Sequence, residues 1–207
     1  MPSIILQGGW VMVPILLGSV LALTLVIERL WYFLSIRMDE RRFADEFFSH
    51  IQKGEFEAAA QLCQRTKHPL ARVLEAGLEH ADEESDEIER VMQREGNRQV
   101  IQTEKNLNAL VMVVGIEPML GFLGTILGLI QAFMAWERFS TSVTVGALAK
   151  GIYQAMITTA AGLIVAIPYF VIYHLFLGKV NKAAQDINHY GDQFLSVIHR
   201  LKKETVG

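Results

Sequence analysis

The segments GIEPMLGFLGTILG, residues 115–128, and GIYQAMITTAAGLIVAIP, residues 151–168, set glycine, alanine and threonine among long apolar side chains. Apart from Glu117, neither segment carries a charged residue, and residues 1–27 carry none. An apolar run of about 20 residues can cross the hydrocarbon core of a bilayer as a helix. The 207-residue chain, 51% hydrophobic, is therefore predicted to be an all-α integral membrane protein with three transmembrane helices.

The distribution of positive charge predicts which regions are cytoplasmic. Most of the 19 Lys and Arg residues lie in residues 35–108 and 179–207, whereas residues 1–28 have none. Because Lys and Arg are enriched on the cytoplasmic side, the N-terminus is predicted to be periplasmic and the C-terminus cytoplasmic. No Lys or Arg precedes the first tract, which is longer than a signal-peptide core, so it is predicted to be a retained helix.

These observations divide the chain into seven predicted segments. They are an external N-terminus (1–9), transmembrane helix 1 (10–34), a cytoplasmic helical region (35–108), transmembrane helix 2 (109–136), a periplasmic loop (137–147), transmembrane helix 3 (148–178) and a cytoplasmic helical tail (179–207).

The cytoplasmic region is predicted to be helical throughout. Helices are expected over 39–53, 55–65 and 69–80, with glycine or proline at their boundaries. Ser85, followed by acidic residues, is typical of a helix start. From Ser85, one long helix is predicted to run into the second span, unbroken until Gly115 and Pro118. The third span is likewise predicted to continue into the tail as a long helix.

The tail carries a seam of apolar and small residues at steps of three and four. Its members are Val180, Ala184, Ile187, Gly191, Phe194, Ile198 and Leu201. Such a seam is typical of a helix packed against neighbours. The pattern favours self-assembly over two alternatives, in which the tail folds back on its own chain or lies on the lipid surface.

Two threonines are predicted to meet within the membrane. Thr125 and Thr159 each lie 11 residues from the predicted outer end of their helix, about 16 Å deep at 1.5 Å per residue. Thr158 and Gln154 lie beside them, and all four are candidate ion-pathway residues. The small residues around them predict close packing or the lining of a narrow pore: Gly121, Gly124, Gly128, Gly151, Ala155, Gly162 and Ala166. Alternatively, each threonine only bonds to the carbonyl four residues back, and the small residues only pack.

Glu117 is 19 residues from the predicted outer end of its helix. It is therefore expected near the inner headgroups, as an interfacial acid beside a helix break at Pro118 rather than as a gate. Gln154, about 9 Å below the outer surface, could hydrogen-bond across helices or to water. Because hydroxyls cannot store a charge, a conducting pathway would need a carboxylate from another chain.

Several functional classes are disfavoured. A net charge of −3 gives no basic stripe for nucleic acid. Cys63 is the only cysteine, so a disulfide or thiolate metal cluster cannot form within one chain, and a buried structural role is expected. No nucleophile and base pair, HExxH motif or phosphate-binding loop is found. The chain is predicted to have no enzymatic activity, cofactor or metal.

On these segments, together with VIERL at 26–30 and GEFEAAAQLCQRTKHPLARVLEAGL at 54–78, the chain resembles the ExbB/TolQ/MotA proton-channel family. The likeness is greatest to its three-span ExbB and TolQ branch. The resemblance implies a pentamer in the bacterial inner membrane, enclosing a pore that holds single-span partners of the ExbD or TolR type. It also implies that the partner's membrane aspartate carries the proton and that Thr125 and Thr159 line its route.

The function that this resemblance implies is that of a motor stator. An ExbB-like subunit would use the proton motive force, through its partner and a TonB-like or TolA-like protein, to energise outer-membrane transport. The alternatives are a TolQ-like subunit for envelope integrity and division, or a non-conducting scaffold. Two positions depart from the family: Gln154 stands where ExbB-type sequences often have glutamate, and Glu117 where many relatives have a small or apolar residue.

Overall fold

A computed structural model describes residues 7–138 and 145–206, which form helices and, within those ranges, no strand. Three of the helices are long and apolar enough to cross a membrane, which confirms the predicted all-α class with three such helices. The helices are α1 (Met12–Ser35), α2 (Glu40–Gln52), α3 (Phe56–Arg65), α4 (Pro69–Glu79), α5 (Ser85–Glu104), α6 (Leu107–Arg138) and α7 (Val145–Val206).

The short helices begin and end close to the predicted residues, for local reasons. Asp39 caps α2 by accepting a hydrogen bond from the Arg42 backbone N–H at 3.2 Å, which satisfies one of the free amides of the first turn. Gly54, with a φ of 76°, lies between α2 and α3 in the left-handed region that glycine adopts without strain. Pro69 is the first residue of α4, where its missing N–H costs no hydrogen bond.

The prediction of an unbroken helix from Ser85 into the second span is wrong. α5 starts at Ser85 as expected, but Lys105 is extended, with a ψ of 137°, and Asn106 has a φ of 66°. Asparagine is enriched in this left-handed conformation, and the change of backbone region ends one helix before α6 begins. Pro118, by contrast, lies inside α6 without ending it.

The predicted extension of the third span is confirmed, because α7 is one continuous helix that includes Pro168. The chain divides into two compact units. The apolar unit comprises Met1–Arg29 and Asn106–Leu175, and the polar unit comprises Leu30–Lys105 and Phe176–Gly207.

The polar unit has a core of large side chains. Phe47 and Phe194 are both fully buried, with ring centroids 6.0 Å apart, and the core cluster also contains Ile187 and Ile198. These last three residues belong to the tail seam. These seam residues thus pack against helices of their own chain, as the folding-back alternative expected, and self-assembly stays a prediction.

Cys63 lies in the same core, fully buried. Burial, with a smaller contribution from nearby Glu75, raises the pKa of its thiol to about 12. The expected structural role of this cysteine is consistent with both observations, since a thiol that keeps its proton is a poor nucleophile.

Candidate functional site

Within the apolar unit, α6 and α7 contact each other through their backbones. A Cβ on Gly128 would lie 2.6 Å from the Gly151 carbonyl oxygen and 2.8 Å from the Ala155 nitrogen. A Cβ on Gly121 would lie 2.9 Å from the Thr158 carbonyl oxygen. Backbone atoms cannot move aside as a flexible side chain can, so this approach requires glycine.

Two further glycines belong to the same contact between α6 and α7. A Cβ on Gly162 would lie 2.5 Å from the Glu117 carbonyl oxygen, and one on Gly124 would overlap the Thr158 side chain. These glycines lie at close contacts between the two helices, and the lining of a pore stays a prediction.

Thr125 and Thr159 meet across this contact, as their equal distance from the helix ends predicted. Their hydroxyl oxygens are hydrogen-bonded to each other. Each hydroxyl also reaches a carbonyl of the opposite helix: Thr125 that of Ala155 and Thr159 that of Gly121, both at 3.2 Å. Both side chains are only half-buried, so the pair is at the surface of this helix contact rather than sealed within it.

Each threonine also bonds within its own helix, as the packing alternative expected. Thr159 reaches the Ala155 carbonyl at 3.2 Å and Thr125 the Gly121 carbonyl at 3.4 Å. A hydroxyl has one proton to donate, so it can satisfy only one of these acceptors at a time. Two hydroxyls and two carbonyls therefore form a network, here called the hydroxyl pair, in which either hydroxyl can donate to the other while the carbonyls only accept.

Thr158 and Gln154 occupy different surroundings. Thr158 is fully buried, and its hydroxyl donates within α7 to the carbonyls of Gln154 and Ala155, at 3.1 and 2.9 Å. It shares the Ala155 acceptor with the hydroxyl pair but has no free surface. The Gln154 amide is also buried and packs against Gly9, where a Cβ would lie 2.5 Å from Nε2. The structure thus presents both side chains as packing residues, and a role for either in ion passage stays a prediction.

Glu117 is buried between helices. The side chain is only 1% exposed, and a Cβ on Gly18 would overlap its Oε1. Gly18 lies inside the uncharged tract of α1, ten residues before Glu28. Glu117 therefore packs between helices on an α6 that Pro118 does not interrupt, so the predicted helix break is wrong, while a position near the inner headgroups stays a prediction.

Sequence reasoning missed two glycines that complete these contacts, Gly9 before α1 and Gly18 within it. Gly9 and Gly18 receive the side chains of Gln154 and Glu117, and nothing in the local pattern distinguishes them from other glycines in an apolar tract.

Across the described ranges, His, Cys, Asp and Glu side chains do not gather in groups of three that could hold a metal ion.

The sequence of this chain is similar to those of known membrane proteins. The model of the MotA/TolQ/ExbB proton channel family matches residues 65–189, which contain the hydroxyl pair. The biopolymer transport protein ExbB-like 3 of Synechocystis is 30% identical over 173 residues, covering 83% of this chain and 82% of that protein.

Two further relatives carry different names. The Tol-Pal system protein TolQ of Haemophilus influenzae is 34% identical over 111 residues, which are 54% of this chain and 48% of TolQ. The biopolymer transport protein ExbB of Xanthomonas campestris is 29% identical over 149 residues, 72% of this chain and 56% of ExbB.

Proposed function

This chain belongs to the MotA/TolQ/ExbB proton channel family, and we propose that it is an ExbB-like stator subunit of an ion-driven motor. The family and the three apolar helices make it a multi-pass protein of the bacterial inner membrane. Its relatives support a role in energising biopolymer transport or the Tol-Pal system. The observation that carries the finer proposal is the hydroxyl pair, half-buried and bonded across two helices that hold no Asp, Lys or Arg in residues 115–128 and 151–168.

The hydroxyl pair provides a relay but not a charge store. A hydroxyl both donates and accepts hydrogen bonds, so a proton that arrives on one side can be matched by a proton that leaves on the other. A hydroxyl does not ionise in the physiological range, and the pathway needs a carboxylate. The family resemblance supplies it as the membrane aspartate of a single-span ExbD/TolR-like partner, held inside a pentamer of this chain.

In such a scheme, the energy released by a charge that crosses the membrane potential is similar to the cost of placing an aspartate in the membrane. A charge that crosses 100 mV releases about 2.3 kcal/mol, and an aspartate at the centre of a membrane helix costs roughly 2.5 to 3.5 kcal/mol on insertion scales. Protonation and the membrane potential can therefore compete for the state of the partner's aspartate. The work passes to a TonB-like or TolA-like protein, with the N-terminus of this chain periplasmic and its C-terminus cytoplasmic.

The likeness to TolQ supports a second candidate, a subunit for envelope integrity and division. The bonds of Thr125 and Thr159 within their own helices support a third, a non-conducting scaffold. The first two share the hydroxyl pair and differ only in the client protein, whereas the third makes the pair dispensable.

Hydroxyl removal tests the proposal directly. Thr125→Val and Thr159→Val keep the side-chain shape and remove the relay, so we expect both to abolish proton-driven work by the assembled complex. Thr159→Ser keeps the hydroxyl and should retain activity. Thr24→Val is the matched control, because Thr24 is exposed on α1 and bonds only to the Val20 carbonyl at 2.9 Å.

Activity is measured as proton flux in vesicles and as growth that depends on the partner proteins. Assembly of each variant is measured on native gels. Interhelical hydroxyl bonds average about 0.6 kcal/mol in membranes, so assembly should be normal in every variant. Assembled Val variants with full proton flux would leave the scaffold as the better function.

A further inference from the structure

Glu117 is a buried ionisable side chain of the apolar unit, and the proposed function does not use it. It is 1% exposed and among the largest fully buried side chains of the described residues. Its Oε2 is buried and has no hydrogen-bond partner among them. Most acidic side chains are exposed or paired, so this environment requires an explanation.

The carboxyl lies against Gly18 of α1. A Cβ on Gly18 would overlap Oε1 and lie 3.0 Å from Cδ of Glu117, and the other residue nearest to that Cβ would be Val113, with Cγ1 at 3.6 Å. Glycine at position 18 therefore leaves a notch in α1 that the carboxyl fills. The Glu117 backbone carbonyl lies against Gly162 of α7, so the residue sits where three helices approach one another.

No cation is available nearby in the sequence. On α1, the charged residues nearest to Gly18 are Glu28 and Arg29, about 15 Å away along the helix. Residues 151–178 of α7 carry no Asp, Glu, Lys or Arg. The titratable groups of α7 that follow Gly162 within the apolar unit are Tyr169, Tyr173 and His174. The Tyr169 hydroxyl donates to the Ser19 carbonyl at 3.4 Å, and the exposed His174 ring contacts the Phe170 ring, with centroids 4.4 Å apart.

Nearby charges and solvation together determine whether this carboxyl is protonated or ionised. An ionised carboxylate without water, a cation or hydrogen-bond donors is far less stable than the neutral acid, and a protein in that situation keeps the proton. The neutral acid has an O–H donor and an acceptor oxygen, and it tolerates apolar surroundings.

We propose that Glu117 is a proton-binding site of this chain, whose carboxyl carries a proton at neutral pH in the notch at Gly18. The chain would then hold an ionisable group of its own within the apolar unit, in addition to any acid from a partner. Glu117 lies eight residues from Thr125 on α6, about 12 Å along the helix axis, so it is a site separate from the hydroxyl pair. The inference does not depend on the proposed motor function.

Isotope-edited infrared spectroscopy tests the protonation state itself. The full chain, labelled with ¹³C-glutamate and held in lipid nanodiscs at pH 7, should show the carbonyl band of a protonated carboxylic acid. Glu117→Gln should remove that band. Glu137→Gln is the matched control on the same helix, because Glu137 is exposed, and it should leave the band unchanged. An unaltered band in Glu117→Gln overturns the proposal.

Two measurements keep the test decisive if the glutamine variant folds poorly. In the wild type, lipid-soluble dicyclohexylcarbodiimide, which attacks protonated carboxyls, should label the peptide that contains Glu117, and less so as pH rises. Gly18→Ala inserts a methyl group where Oε1 lies, so it should shift the acid band and change the labelling rate. Gly115→Ala, with nothing within 4 Å of the added methyl, should do neither. An unlabelled Glu117 with only carboxylate bands would show the site to be ionised and the proposal to be wrong.

Discussion

The apolar and polar units are both helical, but opposite kinds of residue hold them together. In the polar unit, large side chains such as Phe47, Phe194 and Leu74 fill a core and are fully buried. In the apolar unit, many large apolar side chains point outward, including Phe122, Phe133 and Ile164, which are more than 60% exposed. Its helices instead touch at Gly121, Gly128 and Gly151.

The difference reflects the solvent of each unit. Water drives apolar side chains into the core of the polar unit, at about 25 cal/mol per Å² of buried apolar surface. Lipid is as apolar as leucine, so helices in a membrane gain little by hiding large side chains and associate through close backbone packing. Enlarging a glycine at a helix contact should therefore destabilise the apolar unit. Shrinking or charging a buried core side chain should destabilise the polar unit.

The largest effect should come from Phe194→Asp. The ring is fully buried, so the variant removes a core side chain and places a charge without a partner in its position. Loss of the ring alone typically costs about 3–5 kcal/mol, and the buried charge adds to that. We expect the polar unit to unfold, measured by limited proteolysis of the full chain in membranes. Phe194→Leu, which keeps an apolar side chain, should lose much less stability.

Gly128→Val should have the next largest effect, in the opposite unit. The added atoms would meet the backbone of Gly151 and Ala155, and overpacking of a closed contact typically costs about 1–3 kcal/mol. We expect a lower thermal midpoint and loss of assembly on native gels. Gly115→Val on the same helix, where an added Cβ has nothing within 4 Å, is the control. Equal losses in both variants would contradict the packing difference between the units.

The reactivity of the Cys63 thiol measures the integrity of the polar unit's core without any substitution. Burial raises the pKa of the thiol to about 12, so at pH 8 almost none of it is the reactive thiolate. We expect alkylation by iodoacetamide to be slow in the folded chain and to become fast at the denaturant midpoint. Because the folded pKa is raised, this thiol favours folding below its ordinary pKa, and that contribution is lost as pH rises towards about 12.

The smallest effect should come from the ion pair of Lys182 with Glu40, whose charged atoms are 3.1 Å apart. Burial acts to raise the pKa of Glu40, but the backbone hydrogen bond and Lys182 outweigh it and lower the pKa. The contribution is therefore present above the ordinary carboxylate pKa and lost as pH falls through the lowered value. Exposed pairs contribute about 0.2–1 kcal/mol, so Lys182→Met should shift the thermal midpoint only slightly, less so at high salt.

Sequence predicts most accurately the features that depend on local backbone chemistry or on the rise per residue of a helix. Asp39, Gly54 and Pro69 set helix boundaries through their own backbone chemistry. Thr125 and Thr159 were predicted to meet because residues equally far from the ends of antiparallel helices lie at the same height. The error at Asn106 arose because no proline or glycine marks the end of α5, and asparagine occurs in helices as well as in the left-handed conformation.

The sequence by itself determined the three apolar helices, the continuous α7 and the level at which two hydroxyls meet, because helical rise and hydrophobic length follow from composition and spacing. Only the tertiary structure decided what the tail seam packs against and what surrounds Glu117. Both depend on helices distant in the chain, since the seam packs in the core of its own polar unit and Glu117 faces Gly18 on α1. A periodic pattern identifies the face of a helix that will be covered, but the partner is chosen by packing in three dimensions.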